Sequence, residues 1–391
     1  MPATAPPGVD LSRVPVVDGH AHPLRADPLD ITPEAFADLF TEARPGTMGA
    51  HVPHTGYHRR TLGALARWLG VEPTVPEVLA ARRARGPEGG RALVAGSGVA
   101  AALIDTGYPP GAMDLQAMGR WLDLPLHEVF RTETCAEALL SRPLGYQGYL
   151  AAYREALHGA AARAVAFKSI VAYRSGLAVE PPRGEAAARA HGAMAERVAG
   201  GGSPRLTDKA LLDALFQVTL EVARETGRPL QLHTGFGDPD LDLRLANPLH
   251  LRPIVEDERW RSVPIVLLHL AYPYVREAAY LAAVWPQVHL DLSLAIPILG
   301  AGVIPSLVDA LSQAPASKLL YGSDVGALPE LFALTADWGR AALGEALGWL
   351  VERDGLAASA ALAAGRQVLH DNAVALYGLE RLGGATPGAG A

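Results

Sequence analysis

The chain has 391 residues, of which 49% are hydrophobic and 19% are charged, so it can bury a large core. Its formal net charge of −7 argues against a sequence-independent grip on nucleic acid, which needs a positive surface. The start MPATAPPGVD lacks the basic residues and apolar run of a signal peptide, and we expect that no apolar stretch approaches membrane-spanning length. The lone Cys135 excludes an intrachain disulfide framework and a cysteine-based zinc site. We expect a cytoplasmic protein without nucleic-acid or membrane partners.

Eight short apolar runs alternate with longer segments that carry apolar residues at helical spacing. In chain order the runs are VPVVDGH, VAAALIDTG, EVFRTET, AVAFKSIVAY, RPLQLHT, VPIVLLH, VHLDLSLA and KLLYGSD. Helical spacing is clear at residues 210–225, before the fifth run, and at 275–284, before the seventh. Strand and helix repeated eight times predict an α/β fold of the (β/α)₈ barrel type.

Two connections are too long for simple crossovers. The first covers about residues 23–99, with helical patterns near 33–43 and 58–69, and the second covers about 172–206. We expect helical insertions after strands 1 and 4, over the carboxyl-terminal face of the barrel, where long loops usually bind substrate or form lids. A single domain over residues 1–380, with a last helical pattern near 365–377, and a flexible tail at 381–391 complete the predicted organisation.

Chemically active side chains stand at the ends of five of the predicted strands. Parallel strands of a barrel deliver such residues to one face, which is where barrel enzymes do their chemistry. The six residues are His20, His22, Lys168, His233, His269 and Asp324. His20 and His22 are two apart, so the period of a strand points both to the same side, although two ordinary histidines would have the same spacing.

Four histidines and one aspartate at equivalent positions have no equally simple structural explanation, so we predict a metal centre. Imidazole and carboxylate ligands suit zinc, or manganese or iron, as one or two ions. Such an ion lowers the pKa of water and polarises a carbonyl group. Asp324 is then the best candidate to carry the proton of the water to the leaving group, while a purely structural aspartate is the alternative.

Lys168 is ambiguous, and only three of the 34 basic residues are lysines. A buried amine beside a metal has a lowered pKa and can react with carbon dioxide to a carbamate that bridges two ions, which an arginine cannot do. An unmodified lysine that binds a substrate carboxylate is a second interpretation. A structural lysine that reaches toward water is a third.

Other polar residues at the predicted mouth of the barrel are candidates for substrate binding, and each could instead be a solvated or internally paired side chain. Those at strand ends are Arg131, Glu133, Tyr173, Arg174, Asp291 and Ser293, and His54 and Arg59 lie in a polar cluster of the first insertion with His51, Tyr57 and Arg60. We expect this cluster to contact an anionic or polar substrate group if the insertion folds over the mouth, and a solvated helix start is the alternative.

With these residues in place, the chain resembles the amidohydrolase superfamily. Within it, the chain is similar to the amidohydrolase-related branch (amidohydrolase 2), which includes the hydrolase-like domain fused to glutamine synthetase in some plants and fungi. The likeness extends from VVDGHAH to HDNAVALYGL and includes TLGALARWLG, FKSIVAYRSGL and YGSDVGALPEL. The resemblance implies a distorted (β/α)₈ barrel with one or two divalent metals.

The resemblance also implies roles for the six residues. In binuclear members His20, His22 and Asp324 would bind the first ion, His233 and His269 the second, and Lys168 would bridge them. In mononuclear members a single ion is bound by His20, His22, His233 and Asp324, and the residue equivalent to His269 assists catalysis.

The leading hypothesis is a metal-dependent hydrolase of amide or related C–N bonds in a small molecule. The fused relatives suggest a γ-glutamyl amide or another small carboxylated amide as substrate. The alternative is a mononuclear metal-dependent decarboxylase or other lyase of the same superfamily, because one fold supports several reactions. A non-enzymatic metal-binding module is a third hypothesis, and the sequence leaves a homo-oligomer open.

Overall fold

The structure, a computed structural model, describes residues 8–381. Its eight strands form one sheet in the order β1 to β8, the strand order of a (β/α)₈ barrel, so the predicted fold class is confirmed. The strands are β1 Val16–Ala21, β2 Val99–Asp105, β3 Leu126–Arg131, β4 Ala166–Ser169, β5 Leu230–Leu232, β6 Ile265–Leu267, β7 Val288–Asp291 and β8 Leu319–Leu320.

Helices follow or separate these strands, as the sequence pattern predicted. They are α1 Pro33–Asp38, α2 Gly56–Leu69, α3 Val75–Gly96, α4 Leu115–Leu122, α5 Thr132–Leu139, α6 Tyr146–Ala161, α7 Gly184–Ala199, α8 Lys209–Thr226, α9 Arg252–Val255, α10 Val275–Val284, α11 Ala295–Leu299, α12 Val303–Gln313, α13 Glu330–Arg353, α14 Ala358–Arg366 and α15 Asn372–Tyr377. A π-helical turn over Gln367–Asp371 joins the last two.

The strands are short and apolar because both faces of a parallel sheet are covered. Leu230 of β5 is in register with Phe167 of β4 on one side and Ile265 of β6 on the other, and Ile265 is in register with Val288 of β7. All four side chains are fully buried. Burial on both faces leaves the strand ends as the places where polar side chains can stand.

The contacts within the chain group it into two compact units. In the described part, one unit comprises residues 8–104, 108–127 and 291–381, and the other comprises 105–107 and 128–290. The first contains β1, β8 and α1 to α3, and the second contains β4 to β6 with α5 to α8. The single domain over residues 1–380 stays a prediction.

The first insertion contains the two predicted helical segments, as α1 and α2, and a third helix, α3, that the sequence reading missed. Gly86 in α3 has φ +64° and precedes Pro87, so the helix is kinked there. Two helix-breaking residues in succession hide the helical period. The second insertion contains α7.

The carboxyl-terminal part confirms the helical pattern near residues 365–377, and the predicted flexible tail lies outside the described residues, except for Arg381. One helical stretch in the described part, Ala295–Gln313, is long and apolar enough to cross a membrane, with a mean hydropathy of 1.6. The expectation that no stretch reaches this length is therefore wrong. The stretch includes α11 and α12, separated by a 3₁₀ turn at Gly300–Gly302. Core helices of soluble proteins can have the same length and composition.

A buried ion pair joins α3 to α13. The Nε of Arg82 donates to one carboxylate oxygen of Glu330 at 2.8 Å, and Nη2 donates to the other at 3.0 Å. Nη2 also donates to the backbone oxygen of Pro28 at 3.0 Å. Both charged side chains are almost completely buried, so each depends on its partner for compensation.

The Arg82→Met substitution should lower the free energy of unfolding by roughly 3–5 kcal/mol, because it leaves the Glu330 carboxylate buried without its cation. Chemical denaturation of the purified protein measures this. Arg85→Met is the matched control, since Arg85 is exposed on the same helix, and it should change stability by less than about 1 kcal/mol. Equal effects of the two substitutions would contradict the role given to the buried pair.

An aromatic cluster packs the start of α2 against α1. The buried ring of His58 lies edge-to-face with Phe36 and Phe40, at centroid distances of 6.0 and 5.3 Å. Neither ring nitrogen has a hydrogen-bond partner among residues 8–381. Burial lowers the pKa of His58, and the positive charge of Arg59 lowers it further. Folding therefore favours the neutral form of this imidazole.

Stability should fall as the pH drops below about 6.5, because the unfolded chain then takes up a proton on His58 that the folded chain does not. A His58→Phe variant lacks this contribution, so its Tm relative to wild type should rise by at least about 2 °C between pH 7 and pH 5. Thermal denaturation at several pH values measures the difference. His51→Phe, at an exposed histidine of the same insertion, should show no such trend.

Candidate metal centre

Two histidines of β1 and one aspartate after β8 converge within the first unit. The Nε2 atoms of His20 and His22 lie 3.1 and 3.2 Å from the same carboxylate oxygen, Oδ1 of Asp324. His20 is fully buried, and the other two side chains are only slightly exposed. The sequence prediction that these three residues come together is thus reproduced in the structure.

The separations of these atoms fit a bound divalent ion. Three ligand atoms, one from each residue, lie within 4.8 Å of one another. For ligands about 2.05 Å from a tetrahedral zinc ion, neighbouring ligand atoms are about 3.3 Å apart, close to the observed His–Asp distances. Two neutral imidazoles and a carboxylate are also the ligand types that zinc, manganese and iron accept.

Asp18, which was not predicted from the sequence, hydrogen-bonds to Ser323, the residue next to Asp324. It is buried in β1, and its two oxygens accept hydrogen bonds from the backbone nitrogen of Ser323 at 2.9 Å and from the Ser323 hydroxyl at 2.5 Å. Burial raises the pKa of Asp18 to about 7. The hydrogen bonds from Ser323 lower this pKa, whereas the negative charge of Asp291 raises it further. Asp18, His20 and His22 alternate along the strand, so the period of two was the signal that could have found it.

Asp291 and Ser293, at the end of β7, are two further buried polar residues of this unit. The backbone nitrogen of Ser293 donates to Asp291 Oδ1 at 2.8 Å, and the Ser293 hydroxyl donates to the same oxygen. A Cβ on Gly322 would lie 2.3 Å from Asp291 Oδ2. Residue 322 must therefore be glycine for the chain after β8 to pass this carboxylate.

The backbone is strained at Asp324, a few residues after β8. Asp324 has φ +60° and Ala327 has φ +61°, in a region that residues with a Cβ rarely adopt. Leu294, just after β7, has φ +57°. Such strain typically persists at functional sites because the surrounding structure enforces it.

His233 and His269 come together in the second unit. Nε2 of His269 lies 3.0 Å from Nδ1 of His233, and Nε2 of His233 lies 3.1 Å from the backbone oxygen of Phe236. If His233 donates its Nε2 proton to that carbonyl, its Nδ1 is left with a lone pair facing His269. The structure brings the two imidazoles within hydrogen-bonding distance of each other, and their role as metal ligands stays a prediction.

Lys168 is buried in β4 and lies in register with Arg131 of β3 and Gln231 of β5. Its backbone oxygen accepts a hydrogen bond from the Thr132 hydroxyl at 3.2 Å. Burial to this extent is rare for a lysine. The structural interpretation that Lys168 reaches toward bulk water is disfavoured, and the choice between a carbamate and a carboxylate-binding amine stays open.

Arg131 and Glu133 have partners within the second unit. Nη2 of Arg131 donates to Oδ2 of Asp105 at 2.6 Å, and Nε donates to the same oxygen at 3.0 Å. Glu133 is buried, and its oxygens accept hydrogen bonds from the hydroxyls of Ser169 at 2.6 Å and Thr132 at 3.1 Å. Their substrate-binding role stays a prediction.

Tyr173 and Arg174 follow β4. The Tyr173 ring lies 4.3 Å from the ring of His233, and its hydroxyl accepts a hydrogen bond from the backbone nitrogen of Asp238 at 3.4 Å. Arg174 donates to Glu137 at 3.0 Å, while its buried Nε and Nη1 have no partner in the described chain. Burial lowers the pKa of Arg174, and the charge of Glu137 opposes that shift. Contact of either residue with substrate stays a prediction.

His54 and Arg59 of the first insertion lie on its exposed side, where Nη2 of Arg59 lies 3.0 Å from Nδ1 of His54. Arg59 also donates to the backbone oxygen of Pro53 at 3.2 Å. Their predicted contact with substrate is neither supported nor opposed by this pairing. Tyr108, which was not a candidate, lies edge-to-face with His22 at 5.9 Å.

Comparison with known proteins identifies the family of the chain. The family model for amidohydrolase matches residues 17–379. Protein fluG of Emericella nidulans is 35% identical over 223 residues, which is 55% of this chain and 26% of fluG. The chain thus aligns with about a quarter of the length of that relative.

Solved structures resemble the whole chain. A protein from Lactobacillus casei ATCC 334, assigned as a metal-dependent hydrolase, has a TM-score of 0.87 and 27% identity, over 96% of this chain and 99% of its own. Uronate isomerase from Thermotoga maritima has a TM-score of 0.63 and 15% identity, over 94% and 95%, and shows the fold alone. The family match over nearly the full length and the His–His–Asp cluster lead to one conclusion: this chain belongs to the amidohydrolase family and is an enzyme of that hydrolase superfamily.

Proposed function

We propose that this enzyme is a metal-dependent hydrolase of amide or related C–N bonds in small molecules. The observation that carries the proposal is the convergence of two imidazole nitrogens on one oxygen of Asp324. We propose zinc as the ion, with His20, His22 and Asp324 as its ligands. His233, His269 and Lys168 remain predicted ligands from the family resemblance. The small-molecule substrate and a cytoplasmic location also remain predictions.

A divalent ion would supply Lewis acidity for a substrate carbonyl and lower the pKa of water toward neutrality. The residues of this chain would do the rest. Because Oδ1 of Asp324 faces both histidines, we propose that this carboxylate takes the proton of the attacking water and gives it to the leaving nitrogen. Asp18 holds Ser323, the neighbour of Asp324, and so fixes the direction of that carboxylate.

The proposed substrates are small carboxylated amides, including γ-glutamyl amides. This narrower statement comes from the resemblance to domains fused to glutamine synthetase. A mononuclear lyase or decarboxylase of the same superfamily is the alternative function. His20, His22 and Asp324 would be enough to hold the one ion that this alternative needs.

Turnover of an amide panel by metal-loaded protein tests the proposed function. In the Asp324→Asn variant, kcat for the best substrate should fall by about 10²- to 10⁴-fold, because the amide cannot accept the proton, while much of the metal stays bound. Release of ammonia or amine measures turnover. A fully active Asp324→Asn enzyme contradicts the role of this residue, and release of carbon dioxide without amide cleavage favours the lyase.

Removal of one imidazole should weaken metal binding. We expect the His20→Asn variant to bind Zn²⁺ at least about tenfold more weakly than wild type, since the loss of even an indirect partner of a metal site costs that much. Competition with a chromogenic chelator measures the affinity. His51→Asn is the control at an exposed histidine and should bind Zn²⁺ as wild type does. Unchanged affinity in both variants would show that the ion binds elsewhere.

A further inference from the structure

A small cavity lies in the second unit, beside the end of β4 and among helices α5, α6 and α8. The ten residues around it are all buried, and they are Thr132, Glu133, Ala136, Tyr153, Ser169, Val171, Leu212, Leu215, Phe216 and Thr219. The centre of a water molecule can occupy about 10 Å³ of this cavity. Because one water molecule needs about 10–15 Å³ on this measure, the cavity has room for one water and for nothing larger.

Glu133, the second residue of α5, places a carboxylate in the wall of this cavity. The residue is only 6% exposed. Its Oε1 accepts a hydrogen bond from the Ser169 hydroxyl at 2.6 Å, and its Oε2 accepts one from the Thr132 hydroxyl at 3.1 Å. A carboxylate can accept about four hydrogen bonds, and a buried one is costly unless it is well bonded. A further donor at Glu133 would therefore stabilise the fold.

Tyr153 of α6 and Thr219 of α8 meet in the same wall through their hydroxyl groups, whose oxygens are 2.9 Å apart. The Thr219 hydroxyl donates its proton to the backbone oxygen of Leu215 at 3.0 Å, so Tyr153 must be the donor in the contact between the two. Both protons are then used. The phenol oxygen keeps lone pairs that can accept a hydrogen bond.

The wall of the cavity therefore has acceptors to spare, while its hydroxyl groups have no proton left to give. A ligand that fits must either donate two protons or carry a positive charge. A magnesium or calcium ion takes about six or more oxygen ligands, whereas Glu133 and Tyr153 provide two groups with free lone pairs. A water molecule needs only about two to four polar partners and has two protons to donate. Size, partners and protons thus agree on water.

We infer that the cavity binds one water molecule, which donates one proton to the carboxylate of Glu133 and the other to the phenol oxygen of Tyr153. The water links α5 to α6 beside the end of β4. There the Thr132 hydroxyl also lies 3.2 Å from the backbone oxygen of Lys168, and Ser169 is the next residue. The bridge therefore helps to hold the strand end that carries Lys168. This water site is independent of the proposed reaction.

A high-resolution crystal structure of the wild-type protein tests this site. We expect a density peak about 2.7–2.8 Å from both a carboxylate oxygen of Glu133 and Oη of Tyr153. Tyr153→Phe removes one of the two acceptors and keeps the ring, so the peak should be lost in that variant. Tyr149→Phe is the matched control, since Tyr149 is a buried tyrosine of the same helix whose hydroxyl donates to the backbone oxygen of Ala136 at 2.9 Å. Its peak should match wild type.

Hydrogen exchange in solution tests the link to β4 without a crystal. The backbone nitrogen of Val171 donates to the Ser169 hydroxyl oxygen at 3.2 Å, and that hydroxyl donates to Glu133. Exchange of the Val171 amide should be roughly 3- to 10-fold faster in Tyr153→Phe than in wild type, as expected for the loss of one net hydrogen bond. In Tyr149→Phe this amide should exchange at the wild-type rate.

The wild-type map is decisive even if Tyr153→Phe does not fold. A wild-type map without the peak overturns the inference, and so does a peak about 2.3–2.6 Å from its oxygens, which are the distances of a bound calcium ion. A peak that persists in Tyr153→Phe shows that the phenol is not a partner and overturns the assigned bridge. Equal exchange of the Val171 amide in wild type and Tyr153→Phe overturns the link to β4.

Discussion

The candidate metal centre depends on one constraint, which is that the chain after β8 must run directly beside β1. Three backbone hydrogen bonds enforce this, from the nitrogen of Gly19 to the oxygen of Tyr321 at 2.9 Å, from Asp324 to His20 at 2.8 Å, and from His22 to Val325 at 2.8 Å. They continue the pairing beyond the two residues of β8. Because the candidate ligands belong to the two segments that these bonds join, the separation of the imidazoles from Asp324 is fixed by backbone geometry.

That arrangement is destabilising in two ways, and both are tolerated by the surrounding packing. Asp18 and Asp291 are buried acids whose charges repel, and the pKa of Asp18 is raised mainly by its own burial and further by the charge of Asp291. The positive φ of Asp324 adds backbone strain of about 1–3 kcal/mol. Serine hydroxyls and backbone nitrogens donate hydrogen bonds to the two buried acids and so offset the cost of their burial. The absence of a side chain at Gly322 relieves crowding near Asp291. A site that served only stability would have little reason to combine these features.

The sequence predicted the fold because strand, helix and loop composition agree along most of the chain. It failed at α3, where Gly86 and Pro87 interrupt the helical period although packing keeps the segment helical. For the site, position at the end of an apolar run was enough to select His20, His22 and Asp324. The left-handed backbone at Asp324 could not be predicted, because it is imposed by the neighbouring strand and not by the local residue preference.

In the first insertion, the position of a residue around helix α2 determines whether its side chain is buried or exposed. The sequence placed His54, Tyr57, Arg59 and Arg60 in one polar cluster, but an α-helix turns by 100° per residue, so Tyr57 and Arg59 differ by about 200° in direction. The spacing of Thr61, Leu65 and Leu69 by four residues already indicates the buried row, and Tyr57 continues it. Polarity alone selected Arg59 as a candidate for substrate binding. The four-residue spacing instead places Tyr57, and not Arg59, on the buried side of α2. A tyrosine that extends a buried row is fixed in direction by the rings around it, here Phe40 and Trp338, so packing and not polarity decides where such a side chain lies.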